Sequence, residues 1–274
     1  MYLKLAWRNI WRNKRRTLIT AASVFTAVIL ALLMRSMQLG SYERMISNVV
    51  SYYTGHIQIH SKGYWDEQII DNSFVPDDSI YTLIKKSPAV TEYVPRLESF
   101  ALTSSRDMTK GAMVVGISPE AENEVTQLKQ KIIKGAYLSE NEDAVLLSEG
   151  LAKYLKLDVG DSLVMLGQGY HGMNAAGIYP IKGILNFPAP DMNEHMVYMP
   201  IKQAQNFYSA DDHITSIVIS IAEGKDATTV AKTLRSYFKD KPFEILDWRQ
   251  MLPDLVQLIK MDNIGVIITI GVLY

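Results

Sequence analysis

Cysteine is missing from all 274 residues. That excludes disulfide scaffolds, cysteine–zinc sites, thiol nucleophiles and a lipid-modified N-terminal cysteine. Acidic residues are missing from the first 40 positions, which hold seven of the 28 Lys and Arg. The rest of the chain carries 21 basic against 29 acidic side chains, so the net charge of −1 averages a basic start with an acidic body. Such a body is a poor nucleic-acid surface, and no nucleic-acid partner is expected. A G-x-x-x-x-G-K-[ST] loop is also missing, which excludes a Walker-type nucleotide site. Long apolar runs are scarce, and only Thr17–Met34 combines eighteen charge-free residues with a dominantly apolar content.

That run is about 27 Å long as a helix, close to the ~30 Å hydrocarbon core of a bilayer. A cleaved export signal has a shorter apolar region of about 7 to 15 residues ending at small residues. Here Leu30, Leu32, Leu33 and Met34 run straight into Arg35, and no Ala-x-Ala site follows. The sequence therefore predicts a retained span over 17–34. Lys4, Arg8, Arg12, Lys14, Arg15 and Arg16 lie on one side of it and Arg35 on the other, which places the N-terminus in the cytoplasm and the acidic body outside the inner membrane of a bacterium.

Residues 1–16 read as an amphipathic helix, with Leu3, Ala6, Trp7, Ile10 and Trp11 on one face and Lys4, Arg8, Arg12 and Arg15 on the other. Trp7, Arg8, Trp11, Arg12, Arg15 and Arg16 are candidates for contact with headgroups or with a cytoplasmic partner. Inside the span, Thr17, Thr20, Ser23 and Thr26 repeat every three residues, with Ala27 and Ala31 near the same side. Small side chains let a second helix approach, so Thr20, Ser23, Thr26 and Ala27 are expected to pack in the membrane. The alternative is that the hydroxyls bond back to carbonyls one turn earlier.

Tyr42, Met45, Ile46, Val49, Val50 and Tyr53 continue the three-four spacing, which predicts a stalk over 35–54, loosened at Gly40. The helix from Thr17 to Tyr53 is about 55 Å long. An apolar pattern returns over 251–274, where the uncharged run Ile264–Tyr274 reaches only about 16 Å. This reads as the start of a second span, cut within it.

Residues 55–250 read as a mixed α and β body. "GHIQIHS", "AVTEYVPRLESFALTS", "GAMVVGI", "DAVLLS", "DSLVMLG", "GIYPIKGILNF", "HMVYMPI", "ITSIVISIA" and "FEILDW" carry strand patterns; "DDSIYTLIKKS", "EGLAKYL", "IKQAQNFY" and "DATTVAKTLRSYF" read as helices, and "SPEAENEVTQLKQKII" as a helix or a loop and helix. Asp77 or Asp78 starts the first of these helices, and Ser148 is expected to cap "EGLAKYL". The fold class is α+β, with an N-terminal span and stalk before the body.

Several apparent sites fail on context. "GQGYHG" spells G-x-G-x-x-G, but strand sequence follows where a dinucleotide fold needs a helix, so Gly167–Gly177 reads as a hairpin tip. His56 and His60 sit four apart in a strand pattern without a third ligand nearby. Asp66 with Glu67 and Asp211 with Asp212 are adjacent, point apart on a strand and read as solvated loops. Ser148 lacks the glycines of a nucleophile elbow. No catalytic group, metal or cofactor is expected.

"LAWRNIWRNKRRTLIT" before a span, "GHIQIHSKGYW" after a stalk, then "VVGISPE", "IIKGAYL", "VLLSEGLAKYLKLDVGDSLVM" and "MVYMPIKQAQ" together resemble the FtsX-like ABC transporter permeases, nearest to the LolC/LolE lipoprotein-releasing and MacB-type periplasmic core pattern. The resemblance implies a permease subunit with a periplasmic domain between its first two spans, a cytoplasmic ABC ATPase partner that holds the enzymatic activity, and a second permease subunit. It further implies membrane lipid and a periplasmic chaperone or adaptor as contacts. It places porter parts at 55–118 and 196–250 and a sabre-like insertion at 119–195. Such proteins transmit movement from ATPase to periplasm, in the release of lipoproteins or another amphipathic substrate. The alternative left by the residues alone is a membrane-anchored sensor or binding module.

Overall fold

The computed structural model describes residues 7, 8, 11–106 and 108–273, and the chain divides into two compact units, Met1–Ile46 and Ser47–Tyr274. Helix α1, Lys14–Val49, forms most of the first unit and passes into the second. Its apolar side chains from Leu18 to Leu39 are exposed. Among the described residues, Lys14–Thr54 is the one helical stretch long and apolar enough to cross a membrane. Leu3, Lys4, Ala6 and Ile10 of the expected amphipathic segment lie outside the described residues.

The expected loosening at Gly40 does not occur, and α1 runs through it without a break. One glycine costs a helix about 1 kcal/mol, too little to open 36 residues otherwise rich in helix formers. The irregularity comes later. Val50–Thr54 forms a π-helical turn that ends at Gly55, whose φ of 64° and ψ of −173° belong to glycine alone. A β-carbon there would also lie 2.4 Å from Val218 Cγ1.

The body is built on one ten-stranded sheet: β1 (Ile57–Ser61), β2 (Val90–Ser105), β3 (Met108–Ile117), β4 (Ile132–Gly135), β5 (Val145–Ser148), β6 (Ser162–Gln168), β7 (Asn174–Leu185), β8 (Met196–Pro200), β9 (Ser216–Ile221) and β10 (Phe243–Asp247). The order is β10-β1-β9-β2-β3-β8-β5-β7-β4, and β6 bridges β2 and β7. The β3–β8 and β5–β7 pairs are parallel and the others antiparallel. The sixteen-residue β2 serves two neighbours along one edge, β9 through Val90–Arg96 and β6 through Ala101–Ser104.

The helices of the body are α2 (Tyr64–Glu67), α3 (Asp78–Lys85), α4 (Pro119–Thr126), α5 (Glu149–Leu155), α6 (Pro190–His195), α7 (Ile201–Tyr208), α8 (Ala227–Tyr237), α9 (Trp248–Met251) and α10 (Pro253–Leu273). Asp77 caps α3, accepting the Ile80 N–H at 3.0 Å. Ser148 holds the position before α5, but its hydroxyl does not cap that helix. It accepts the Met196 N–H at 3.2 Å instead, because it is buried where β5 meets the start of β8. Asp66 and Glu67, expected in a loop, lie exposed on the single turn α2, whereas Asp211 and Asp212 lie in an exposed turn. The helical reading of 118–133 shortens to α4, a 3-10 turn Leu128–Lys131 and β4.

Strands β5 and β8, and β3 from Val114 to Ile117 where it pairs with β8, are buried on both faces, as expected of strands in parallel pairs. Val114, Leu147 and Val197 point into one apolar cluster with α5 and α7, while Val115, Leu146 and Tyr198 point into a second with Met192 of α6. A third cluster joins β1, β9 and β10 to α3 and α8.

Candidate functional site

Three places could carry movement or contact. At the N-terminal end, Trp7 and Trp11 lie with ring centroids 6.0 Å apart and are 65% and 48% exposed. Arg8, Arg12, Arg15 and Arg16 are exposed as well, and Arg12, Arg15 and Arg16 share an open hollow with Asn13 and Lys14. Further along α1, the Thr20 hydroxyl donates to Arg16 O at 3.0 Å and the Ser23 hydroxyl to Ile19 O at 2.9 Å. These are the one-turn back-bonds of the alternative reading. With the hydroxyls of Thr20 and Ser23 satisfied inside the helix, these two and Thr26 and Ala27 present an exposed surface of small side chains.

The third place lies within the second unit, where the π-helical turn Val50–Thr54 meets β2 and α4. Arg96 of β2 is completely buried there. Its Nε donates to Glu122 Oε2 at 2.9 Å and its Nη2 to Glu122 Oε1 at 2.6 Å, a two-point pair with a carboxylate that is itself fully buried. Its Nη1 donates to Tyr53 O at 2.7 Å and reaches Glu98 Oε1 at 3.4 Å, while its Cζ lies 5.4 Å from the Tyr53 ring centre. The last carbonyls of a helix have no partner within it and carry partial negative charge. Arg96 satisfies one of them with a full positive charge. The next, Thr54 O, accepts from Gln58 Nε2 at 2.7 Å, and Val50 O accepts the Gly55 N–H at 2.9 Å.

The carboxylates are held in turn. Glu122 also accepts from the Thr126 hydroxyl at 2.9 Å, and Glu98 from the Ser216 hydroxyl at 3.2 Å. Thr215 fixes the strand between them, accepting the Glu98 N–H at 2.8 Å. Burial alone would lower the Arg96 pKa, but the Glu122 carboxylate, helped by Glu98, outweighs it and the net direction is upward. The guanidinium therefore stays charged. Removing either member of such a pair leaves an uncompensated buried charge, which costs about 3–5 kcal/mol. Beside this cluster the Lys131 ammonium sits 3.5 Å over the Tyr52 ring.

Sequence reasoning missed this joint. Its one signal is a pair of charges, Arg96 and Glu98, spaced two apart inside a strand whose other residues are mostly apolar or small, so that both must share a face. His56 and His60, read as sheet histidines, do lie at and in β1: His60 is fully buried, its Nδ1 donates to Thr215 O at 2.9 Å and its ring stacks on Tyr64 at 5.0 Å. Gly167–Gly177 forms the β6–β7 hairpin tip.

A family model described as the MacB-like periplasmic core domain matches residues 17–237. The chain belongs to this family. Among curated proteins, the lipoprotein-releasing system transmembrane protein LolC of two Xylella fastidiosa strains is 25% identical over 189 residues, covering 66% of this chain and 45% of each relative. The chain thus spans just under half the length of those relatives. The crystal structure of the periplasmic region of MacB from Actinobacillus actinomycetemcomitans aligns with a TM-score of 0.51 at 17% identity, over 79% of this chain and 98% of that one. That likeness is one of fold. In this MacB-like chain the Arg96 joint and the small-residue surface fall inside the matched range, and Trp7 to Arg16 precede it.

Proposed function

We propose that this chain is part of a permease subunit of an ABC transporter of the mechanotransmission type, which works with a cytoplasmic ATPase and a second permease subunit. The single observation that carries the reading is the Arg96 joint, where a helix able to cross a membrane ends with its last turn held by a buried ion pair. A buried two-point pair has one geometry and resists shear, which suits an element that must pull on a sheet. The basic residues Arg8, Arg12, Arg15 and Arg16 then face anionic lipid and the ATPase on the cytoplasmic side, by the charge asymmetry of the span. The small surface at Thr20, Ser23, Thr26 and Ala27 takes another span.

The division into porter parts at 55–118 and 196–250 and an insertion at 119–195 is supported by sheet order. The first six strands across the sheet, β10-β1-β9-β2-β3-β8, come from the former, and β5, β7 and β4 from the latter. Release of lipoproteins, or export of another amphipathic molecule with a periplasmic chaperone or adaptor, follows the named activity of the LolC relatives.

Orientation is tested in intact spheroplasts with a membrane-impermeant maleimide. A cysteine placed at exposed Glu140 is expected to label from outside, and one at Asn13 only after lysis. The reverse pattern would overturn the proposal.

A further inference from the structure

Two open hollows follow one another along the start of α1. The first, of about 580 Å³, is lined by Arg12, Lys14, Arg15 and Arg16 around the turn at Asn13. The second, of about 730 Å³, shares Arg16 and Thr20 with the first and runs on past Thr17, Ala21, Val24, Phe25 and Val28. The charge of the first hollow has one sign only. No acidic residue occurs before Glu43, and none of the four basic side chains forms an ion pair among the described residues. All four are exposed, and the Lys14 ammonium lies 5.8 Å from the centre of the Trp11 ring.

Depth decides what the two hollows can hold. A bilayer of ~40–45 Å has a hydrocarbon core of ~30 Å, so each headgroup layer is about 5–7 Å thick. At ~1.5 Å per residue, Lys14, Arg15 and Arg16 stand within about 5 Å of Thr17, where the uncharged run starts. They therefore lie in the headgroup layer, the level at which tryptophans such as Trp11 gather. From Thr17 to Val28 the groove is about 16 Å long, which is the depth of one leaflet's hydrocarbon, half of ~30 Å. The groove is also separate from the small-residue surface of Thr20, Ser23, Thr26 and Ala27. At ~100° per residue the centres of the two lie about 120° apart around the helix, with Thr20 at their border. A cytoplasmic protein would match the first hollow alone, and a neighbouring helix the second alone. A cationic hollow that opens into an apolar groove one leaflet deep matches a charged headgroup joined to an acyl chain.

We infer that α1 binds one anionic phospholipid of the cytoplasmic leaflet, its phosphodiester held by Arg15 and Arg16 with Arg12 and Lys14 beside them, and one acyl chain in the groove from Thr17 to Val28. Arginine suits the phosphate because its planar fork offers parallel N–H donors to two oxygens. The inference rests on the cytoplasmic placement of the N-terminus proposed above and turns a general contact with lipid into a defined site.

The probe is dioleoyl phosphatidylglycerol, set against dioleoyl phosphatidylcholine at equal concentration. Native mass spectrometry of the full chain in detergent is expected to show one phosphatidylglycerol retained per chain in preference to phosphatidylcholine. Arg15→Gln with Arg16→Gln is expected to weaken retention about thirtyfold, the loss of two cations at a membrane surface. Ala21→Phe with Val24→Phe keeps every charge and the apolar character of the span but fills the groove, and is expected to abolish the preference. Leu32→Phe, in the outer half of the span, is expected to leave it intact. Equal retention of the two lipids by the wild type overturns the site. A preference that survives filling of the groove is charge attraction alone and overturns it too, as does competition by glycerol 3-phosphate equal to that of the intact lipid. If the Asn13 cysteine labels only after lysis while no lipid preference is found, the lipid site falls and the permease reading stands. If that cysteine labels from outside, both fall.

Discussion

Arg96→Met is the most direct perturbation of the joint. It keeps most of the side-chain volume but leaves Glu122 fully buried with its two guanidinium bonds gone, Glu98 without its cation and Tyr53 O without its donor. An orphaned buried carbonyl alone costs about 1–3 kcal/mol, and breaking a buried pair about 3–5 kcal/mol in total. For a cooperative unit the size of Ser47–Tyr274, each kcal/mol lowers Tm by about 2–4 °C, so the expected fall is about 6–20 °C. Amides of the π-helical turn, Tyr53 to Gly55 above all, should lose hydrogen-exchange protection before the rest of β2. Arg96→Met with Glu122→Leu removes both charges together and is expected to recover about 1–4 kcal/mol relative to Arg96→Met. The assay is thermal unfolding of the full chain in detergent for the wild type, both single variants and the double. A fall below about 2 °C for Arg96→Met, or a double variant equal to the sum of the singles, would refute the claim that the pair holds the turn.

Two further outcomes follow from the same region. Gly55→Ala is expected to cost at least about 2 kcal/mol in urea unfolding, because its backbone conformation excludes a side chain and Val218 occupies the space; a neutral result would show that the turn can refold around the methyl. Burial lowers the pKa of His60, against the opposing pull of the Thr215 carbonyl and the Glu98 and Glu244 carboxylates. The unfolded chain therefore binds a proton near 6.5 that the folded chain refuses. Stability is fully present above that pH and falls as the pH drops through it, by at most about 1.4 kcal/mol per pH unit for this group. Urea midpoints at pH 8, 6.5 and 5 check this, and His60→Gln should flatten the slope.

Much of the chain was legible locally. The long helix Lys14–Val49 follows from one uncharged run and a helical spacing, and the strand patterns around "GHIQIHS", "GAMVVGI" and "ITSIVISIA" became β1, β3 and β9. Asp77 capped its helix because capping is a contact across three residues. Gly40 misled for the same local reason: a weak helix residue has no effect when its neighbours hold the ladder.

Ser148 escaped because its partner, Met196, lies 48 positions away. The sequence by itself determined that a membrane-length apolar rod precedes an acidic α+β body, since hydropathy and charge act residue by residue. Only the tertiary structure decided that Arg96 meets Glu122, 26 positions on, and Tyr53, 43 positions back. It alone also decided that the outward side chains of β2, β6 and β7 form one bare apolar face. Both depend on which strands become neighbours, and that is set by the packing of the whole sheet rather than by any segment of it.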